Sequence, residues 1–84
     1  YLLPGAVTVI GRGSECDITV DDTGISRRHL ELKATPNGVI ATDLGSTNGS
    51  FVEGHKITAA TLVDGNTITI GRTNIMFWNS PGTA

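Results

Sequence analysis

The sequence predicts an all-β domain, built as a sandwich or a small barrel. Eleven glycines and three prolines divide the 84 residues into short segments. The segments between them are rich in valine, isoleucine and threonine, which suit a pleated, half-buried surface. No segment has the length and periodicity of an independently stable helix. Many short strands joined by close turns are typical of β-sandwiches and β-barrels.

The first four predicted strands lie between the turn signals Pro4-Gly5 and Asn48-Gly49. They are Ala6–Gly11, Asp17–Val20, His29–Lys33 and Val39–Asp43. In the third, Leu30 and Leu32 share one face and alternate with polar residues, as expected for a half-buried strand. Pro36-Asn37-Gly38 predicts a hairpin between the third and fourth strands, because an Asn-Gly pair supplies the positive φ angles of a tight primed turn.

The remaining strands are separated by Glu53-Gly54 and Asp64-Gly65-Asn66. They are Ser50–Val52, Lys56–Ile57, Thr67–Gly71 and Asn74–Asn79. In the seventh, Ile68 and Ile70 alternate with threonines, so one face of this strand is expected to be buried. The segment Ile57–Val63 is too short for an independent helix and is predicted to be a connection, with one turn of helix.

Length and composition indicate one small domain over residues 1–84, with a frayed tail at Asn79–Ala84. Hydrophobic residues make up 38% of the chain and charged residues 17%, which excludes a disordered tail. No apolar run reaches membrane-spanning length, and no basic leader opens the chain. The lone Cys16 is expected to be a packed thiol in a reducing compartment. No metal site is predicted, because Cys16 and His55 do not share metal-ligand spacing with a second pair of ligands. No cofactor is predicted either, because Gly11-Arg12-Gly13 lacks the rest of a dinucleotide-binding fingerprint.

Polar residues are concentrated in three loops between the predicted strands. The loops are Gly11–Ser14, Thr23–His29 and Leu44–Ser50. Three of the six basic residues, Arg12, Arg27 and Arg28, lie in the first two loops. Loops carried on a rigid scaffold are where binding residues are usually found.

The residue types in these loops suit a phosphoryl group. Its three oxygens carry about −1.5 to −2 charge and accept several charge-assisted hydrogen bonds. An arginine offers a planar pair of donors, while serine, threonine and asparagine side chains add short neutral donors. On spacing alone, a solvated surface with no ligand remains an equal alternative.

The motifs in their order resemble a forkhead-associated (FHA) domain of the bacterial, actinobacterial-like type. They are Ile10-Gly11-Arg12, Cys16-Asp17-Ile18, Ile25-Ser26-Arg27-Arg28-His29-Leu30, Asp43–Val52, Leu62–Asn66 and Ile68–Gly71. The resemblance covers residues 7–78. It implies a β-sandwich of two mostly antiparallel sheets whose loops at one end bind a phosphothreonine peptide without catalysis.

The resemblance also assigns roles to individual residues. Arg12 is implied to pair with the phosphate, and Ser26 to bind phosphate oxygens through its hydroxyl and its amide. Arg27 is implied to touch the phosphate or the peptide backbone, and Thr47 to lie beside the phosphothreonine. The side-chain amide of Asn48 is implied to hold the backbone of the extended peptide.

Three further residues are implied to support the site rather than contact the ligand. Gly11 and Gly49 allow backbone conformations or close approaches that a side chain would prevent. His29 braces the loops through hydrogen bonds. The chain departs from the family at Glu53-Gly54, where relatives often have asparagine before the glycine. It also begins at Tyr1–Gly5, where the family usually has an earlier strand, so a first strand is expected to be absent or dispensable.

The sequence offers less support for functions other than phosphopeptide binding. A nucleic-acid-binding barrel needs a basic stripe with exposed aromatics, but the net charge is −2 and there are four aromatic residues. Ser26, His29 and Asp43 could be written as a hydrolytic triad, but sequence spacing does not establish that geometry. A docking scaffold for an unphosphorylated partner is the main alternative, because a fold does not guarantee a function.

The expected partner is a phosphothreonine-containing protein or a phosphorylated segment of the same protein. The expected setting is a Ser/Thr kinase pathway in the cytoplasm, with attachment to the membrane only through partners. Neither nucleic-acid binding nor enzymatic activity is expected.

Overall fold

The computed structural model describes residues 7–78 as two β-sheets that pack on each other. This part of the chain contains nine strands and no helix. The strands are β1 (Val7–Gly11), β2 (Ile18–Thr19), β3 (Leu30–Thr35), β4 (Gly38–Asp43), β5 (Ser50–Val52), β6 (His55–Ile57), β7 (Ala59–Leu62), β8 (Thr67–Ile70) and β9 (Thr73–Met76). The predicted tail at 79–84, the question of a strand before residue 6, and the outer ends of the first and last predicted strands lie outside the described residues.

The predicted sandwich of two mostly antiparallel sheets is confirmed. The first sheet has the strand order β2-β1-β3-β4-β7, and the second has the order β6-β5-β8-β9. Strands β1 and β2 run parallel, with Ile10 paired to Ile18, whereas the other described pairs are antiparallel. Because β1, β3 and β4 are neighbours, the loops after β1, before β3 and after β4 leave the sheet at the same end.

Both sheets contribute to one core. The buried hydrophobic residues include Ile10, Leu30, Leu32, Ala41 and Leu62 from the first sheet, and Ile68 and Ile70 from the second. The predicted alternation holds in β3 and β8, where every second residue is buried. Each fully buried aliphatic side chain contributes about 1.5–3 kcal/mol relative to an exposed one, so this core anchors the loops around it.

The hairpin predicted at Pro36-Asn37-Gly38 is present, but its turn is not primed. Thr35 pairs with Gly38 across a two-residue loop, and of the three turn residues only Gly38 has a positive φ, of 128°. Pro36 fixes its own φ near −65°, which excludes a primed turn at that position. The Thr35 hydroxyl instead accepts from the Asn37 amide and donates to the Gly38 carbonyl.

The primed turn of this domain is Glu53-Gly54, between β5 and β6. Both residues have positive φ, 51° for Glu53 and 81° for Gly54, as a type I′ hairpin requires. A left-handed conformation is unfavourable for glutamate, but the Glu53 carboxylate accepts a hydrogen bond from the Thr67 amide. This hydrogen bond ties the turn to β8 and stabilises Glu53 in this conformation.

The prediction for residues 57–63 was wrong, because β7 occupies Ala59–Leu62 in place of a helical turn. Leu62 pairs with Val39 and Ala60 pairs with Ala41, so β7 completes the edge of the first sheet. Leu62 is 4% exposed, and its burial against the core stabilises an extended conformation. Alanine has low β-propensity, and two consecutive alanines gave no alternating pattern from which a strand could be predicted.

Candidate functional site

Four loops meet at one end of the sandwich. We define loop A as residues 12–17, loop B as 20–29, loop C as 44–49 and loop D as 71–72. The first three contain the polar residues singled out by sequence, and loop D joins β8 to β9. Hydrogen bonds run from loop A to B, from B to C and from B to D. These contacts make the loops one connected surface.

Arg12 in loop A is fastened to loop B by its backbone and by part of its side chain. Its amide donates to the Ser26 carbonyl at 3.0 Å, and its Nε–H donates to the Ile25 carbonyl at 3.1 Å. Within residues 7–78 the two terminal nitrogens of its guanidinium have neither a hydrogen bond nor an ion pair. The side chain is exposed, so an oriented pair of charged donors faces solvent.

Ser26 lies between loops B and C. Its Oγ accepts a hydrogen bond from the Thr47 amide at 3.0 Å, which leaves the hydroxyl proton to be donated outward. Its amide, however, donates to Nδ1 of His29 at 3.0 Å. The expectation that this amide binds a phosphate oxygen therefore disagrees with the structure, in which the hydroxyl is the group of Ser26 that a ligand can reach.

His29 is fully buried beneath loops B and C. Its Nδ1 accepts from the Ser26 amide, and its Nε2 lies 2.7 Å from the Gly49 carbonyl oxygen. Because Nδ1 is an acceptor and Nε2 faces a carbonyl, the ring is neutral with its proton on Nε2. His29 thus joins two loops and leaves no ring nitrogen for a ligand.

A hydrolytic triad is excluded by these roles. The group of Ser26 that contacts His29 is its amide rather than its hydroxyl. The Asp43 carboxylate lies 4.0 Å from Nε2 of His29, whereas Nε2 donates to Gly49 at 2.7 Å. In a triad the histidine would accept from the serine hydroxyl and donate to the carboxylate.

Asp43 organises loop C, a role that sequence reasoning missed. Its Oδ1 accepts from the hydroxyls of Ser46 and Ser50, at 2.5 and 2.6 Å. Its Oδ2 accepts from the amides of Gly45 and Ser46, both at 3.1 Å. The Ser46 hydroxyl in turn accepts from the Gly49 amide. The pattern Asp-x-x-Ser at a strand end was a signal for this arrangement, because a carboxylate readily accepts from amides two and three residues ahead.

The pKa of Asp43 is set by opposing effects. Burial raises the pKa, but hydrogen bonds from Ser46, Ser50 and Gly45 together outweigh burial and hold the pKa below its ordinary value of 3.8. Hydrogen bonds to the charged form stabilise that form. The Asp43 carboxylate is therefore ionised at neutral pH.

We expect the domain to lose stability in acid as Asp43 is protonated. A folded-state pKa below the unfolded one gives stability that is present above pH 3.8 and is lost as the pH falls through the folded pKa. Urea unfolding midpoints measured from pH 6 to pH 2.5 should fall less steeply for Asp43→Asn than for the wild type. Asp21→Asn, which removes an exposed carboxylate outside this network, should retain the wild-type slope, and equal slopes for all three proteins would contradict the assignment.

Thr47 and Asn48 lie at the exposed tip of loop C. Asn48 Nδ2 donates to the Gly24 carbonyl at 2.8 Å, which fixes the side chain across loop B. One N–H and the carbonyl oxygen of this amide remain for a ligand, and these are the groups that pair with an extended peptide backbone. The Thr47 side chain is exposed beside Ser26, whose hydroxyl holds the Thr47 amide.

Arg27 and Arg28 are both exposed, and the Arg27 backbone carries part of the site. Its carbonyl accepts from the Gly13 amide at 3.0 Å and from the Cys16 thiol at 2.9 Å. Cys16 is a buried free thiol, as predicted. A role of the Arg27 side chain in phosphate contact stays a prediction.

The two glycines predicted to support the site have distinct structural reasons. A Cβ on Gly11 would overlap the Arg27 carbonyl oxygen and would lie 2.9 Å from the Cys16 sulfur, so a side chain would push loops A and B apart. Gly49 has a φ of 86°, which an L-residue with a side chain rarely adopts. Both positions therefore depend on glycine.

Asp22 connects loop B to loop D, a second role that sequence reasoning missed. Its Oδ1 accepts from the Gly24 amide, and its Oδ2 accepts from the Arg72 amide and the Thr73 hydroxyl. The Thr73 hydroxyl, followed by the Gly24 and Arg72 amides, lowers the pKa of Asp22 below its ordinary value. Gly24 and Gly71 also pack backbone to backbone. The hydrogen bonds of Asp22 therefore link loop B, which leads into the first sheet, to loop D and β9 of the second sheet.

Residues 7–78 contain neither a metal-binding cluster nor a membrane-spanning helix. No group of three or more potential ligands is placed to hold a metal ion. No helix long and apolar enough to cross a membrane is present in that range.

Comparisons with known proteins agree with this architecture. A family model, described as the FHA domain, matches residues 8–71. The chain belongs to the FHA domain family. FHA domains are binding modules.

One similar protein is the glycogen accumulation regulator GarA of Mycobacterium tuberculosis. It is 36% identical over 96% of this chain and 50% of GarA. The chain thus spans about half the length of GarA.

Two solved structures are also similar. One comes from a structural and functional analysis of phosphothreonine-dependent FHA domain interactions. It has a TM-score of 0.89 and 36% identity, over 96% of this chain and 84% of that one. The other is EmbR of Mycobacterium tuberculosis in complex with a low-affinity phosphopeptide. It has a TM-score of 0.87 and 38% identity, over 94% of this chain and 21% of EmbR. At these sequence identities the similarity covers the family as well as the fold.

Proposed function

We infer that this domain binds phosphothreonine peptides and thereby recruits proteins phosphorylated by Ser/Thr kinases. The observation that carries the inference is the arrangement of donors where loops A, B and C meet. The terminal nitrogens of Arg12, the Ser26 hydroxyl and the exposed tip of loop C lie on one surface, and each is held by hydrogen bonds that use its other atoms. Donors fixed in this way bind an anion with little further loss of conformational entropy.

The phosphate is bound by Arg12 and by the Ser26 hydroxyl, with Thr47 beside the phosphothreonine side chain. Arg27 adds a second positive charge from loop B. Asn48 pairs with the peptide backbone through the amide atoms that Gly24 leaves free. Gly11, His29 and Gly49 hold the loops in place. The ligand is a segment of another protein or of the same protein, and the domain itself catalyses no reaction and needs no cofactor.

A cytoplasmic location is part of this proposal, because the kinases that produce the ligand consume ATP there. Similar chains support a protein or phosphopeptide as the ligand. The FHA domain of FhaA has been crystallised with the intracellular domain of Rv3910, and the structure of EmbR has been solved in complex with a low-affinity phosphopeptide. Any contact with the membrane occurs through such partners.

Isothermal titration with one degenerate peptide pool tests the function. The pool is prepared in phosphothreonine, phosphoserine and unphosphorylated forms. We expect the phosphothreonine pool to bind, and the phosphoserine pool to bind about tenfold more weakly, because one methyl group is worth about 1–2 kcal/mol in an apolar pocket. Equal binding of all three forms would instead indicate a docking scaffold that does not read phosphate.

A further inference from the structure

Lys56 on β6 projects beside loop C. In β5 and β6, Lys56 pairs with Phe51, so their side chains lie on the same face. A Cβ placed on Gly49 would lie 3.0 Å from Cε of Lys56, 3.7 Å from its Cδ and 3.6 Å from Cε1 of Phe51. The aliphatic part of the lysine therefore crosses the space that a side chain at Gly49 would fill, and its ammonium group lies next to the loop that carries Thr47 and Asn48.

The ammonium group has no acidic partner within residues 7–78. The one ion-pair contact in this part of the chain is between His29 and Asp43. The nearest acidic residue along the chain, Glu53, directs its carboxylate to the Thr67 amide on β8. Lys56 is exposed, so its charge is available to a molecule bound at loop C.

The lysine stem is also partly ordered before any ligand arrives. Its Cδ and Cε lie over Gly49, and this position limits the conformations of a side chain that otherwise has about 2 kcal/mol of rotamer entropy to lose. A lysine whose aliphatic chain is already held against the protein loses less conformational entropy on forming an ion pair than a freely moving lysine does. This distinguishes Lys56 from Lys33, which is exposed on β3 and paired with Val7, away from the loops.

We propose that Lys56 forms a specificity subsite for an acidic residue of the bound phosphopeptide. This inference rests on the proposed function. Gly49 follows Thr47 by two residues, and an extended chain advances about 3.3–3.6 Å per residue. A peptide that runs from the phosphate site past Asn48 therefore places a residue near Lys56 within about two or three positions of the phosphothreonine. An aspartate or glutamate there pairs with the ammonium group.

A double-mutant cycle between the domain and the peptide tests the proposal. The probe is a phosphothreonine peptide with neutral flanks, in which each position within four residues of the phosphothreonine carries asparagine or aspartate in turn. Titrations use the wild type, Lys56→Gln and, as the matched control, Lys33→Gln. At one position we expect aspartate to strengthen binding about two- to fivefold at low salt, the range of an exposed ion pair. Lys56→Gln should abolish this gain, and Lys33→Gln should retain it.

Charge reversal provides a second readout. Lys56→Glu should prefer lysine to aspartate at the same peptide position, and any general loss of affinity caused by its negative charge cancels when the two peptides are compared. The proposal is overturned if no position shows a gain that depends on Lys56, or if Lys33→Gln removes the gain equally, since that would mean only long-range attraction. The proposed function fails separately, if the neutral-flank phosphothreonine peptide does not bind the wild type or if Arg12→Ala binds it equally well.

Discussion

Replacing Arg12 with alanine is expected to reduce phosphothreonine-peptide affinity by about two orders of magnitude or more. Arg12 is the one arginine of the site whose side chain is oriented by a hydrogen bond within the described residues, from Nε to the Ile25 carbonyl. Each hydrogen bond between charged partners contributes about 1.5–3 kcal/mol, and a guanidinium can donate two to one phosphate. Isothermal titration with a fixed phosphothreonine peptide measures the loss.

The fold should survive this substitution, because Arg12 is exposed and only its Nε bond to loop B is lost. We expect a decrease of about 0.5–1.5 kcal/mol in the free energy of unfolding. Arg12→Lys should bind with intermediate affinity, since lysine keeps the charge but not the planar pair of donors. Lys33→Ala removes the same charge from the middle of β3 and should bind as the wild type does. An unchanged dissociation constant in Arg12→Ala would contradict the assignment of the phosphate site to this end of the molecule.

Replacing His29 with alanine is expected to lower the stability of the fold, and any loss of phosphopeptide binding should follow from that lower stability. The substitution leaves the Ser26 amide and the Gly49 carbonyl without their partners and creates a cavity beneath loops B and C. Each unsatisfied buried group costs about 1–3 kcal/mol, so the free energy of unfolding should fall by about 3–5 kcal/mol. In a domain of this size that corresponds to a decrease of at least about 12 °C in melting temperature, measurable by circular dichroism or calorimetry.

A conservative variant separates support of the loops from ligand contact. In His29→Asn, an amide oxygen can still accept from the Ser26 amide but cannot also reach Gly49, so an intermediate melting temperature is expected. Below its melting temperature this variant should retain measurable phosphopeptide binding. A His29→Ala protein as stable as the wild type but unable to bind would show that the histidine acts on the ligand and does not brace the loops.

Much of the fold could be predicted, because local sequence patterns specify several of its strands and turns. Strands β3 and β8 alternate buried and polar residues along the sequence, and the Glu53-Gly54 turn has an evident signal. Strand β7 had none, because its two alanines have low β-propensity. That segment is a strand because Leu62 packs in the core and its backbone pairs with β4, which is a tertiary effect.

In the site, the residue types could be predicted from the sequence, but the hydrogen bonds between the loops could not. The side chains with chemistry suited to phosphate were identifiable as residue types in loops, but the bonds that orient them were not. Asn48 binds Gly24 across 24 positions, and Asp22 binds Thr73 across 51. Such contacts depend on the register of two sheets, which no local pattern in the sequence specifies. The expectation that the Ser26 amide faces the ligand has a different origin, because it came from the family resemblance, whereas the amide donates to the His29 ring three residues along the same loop.

The most direct test of the central claim is a ¹H–¹⁵N correlation titration of the domain with a phosphothreonine peptide. We predict the largest shift changes at the Nε–H and amide of Arg12 and at the amides of Ser26, Thr47 and Asn48, with little change at Glu53-Gly54 on the opposite end. The dephosphorylated peptide should leave these signals in place. If the largest changes instead occurred around Glu53-Gly54, or were the same for both peptides, the four loops would not be the phosphothreonine site.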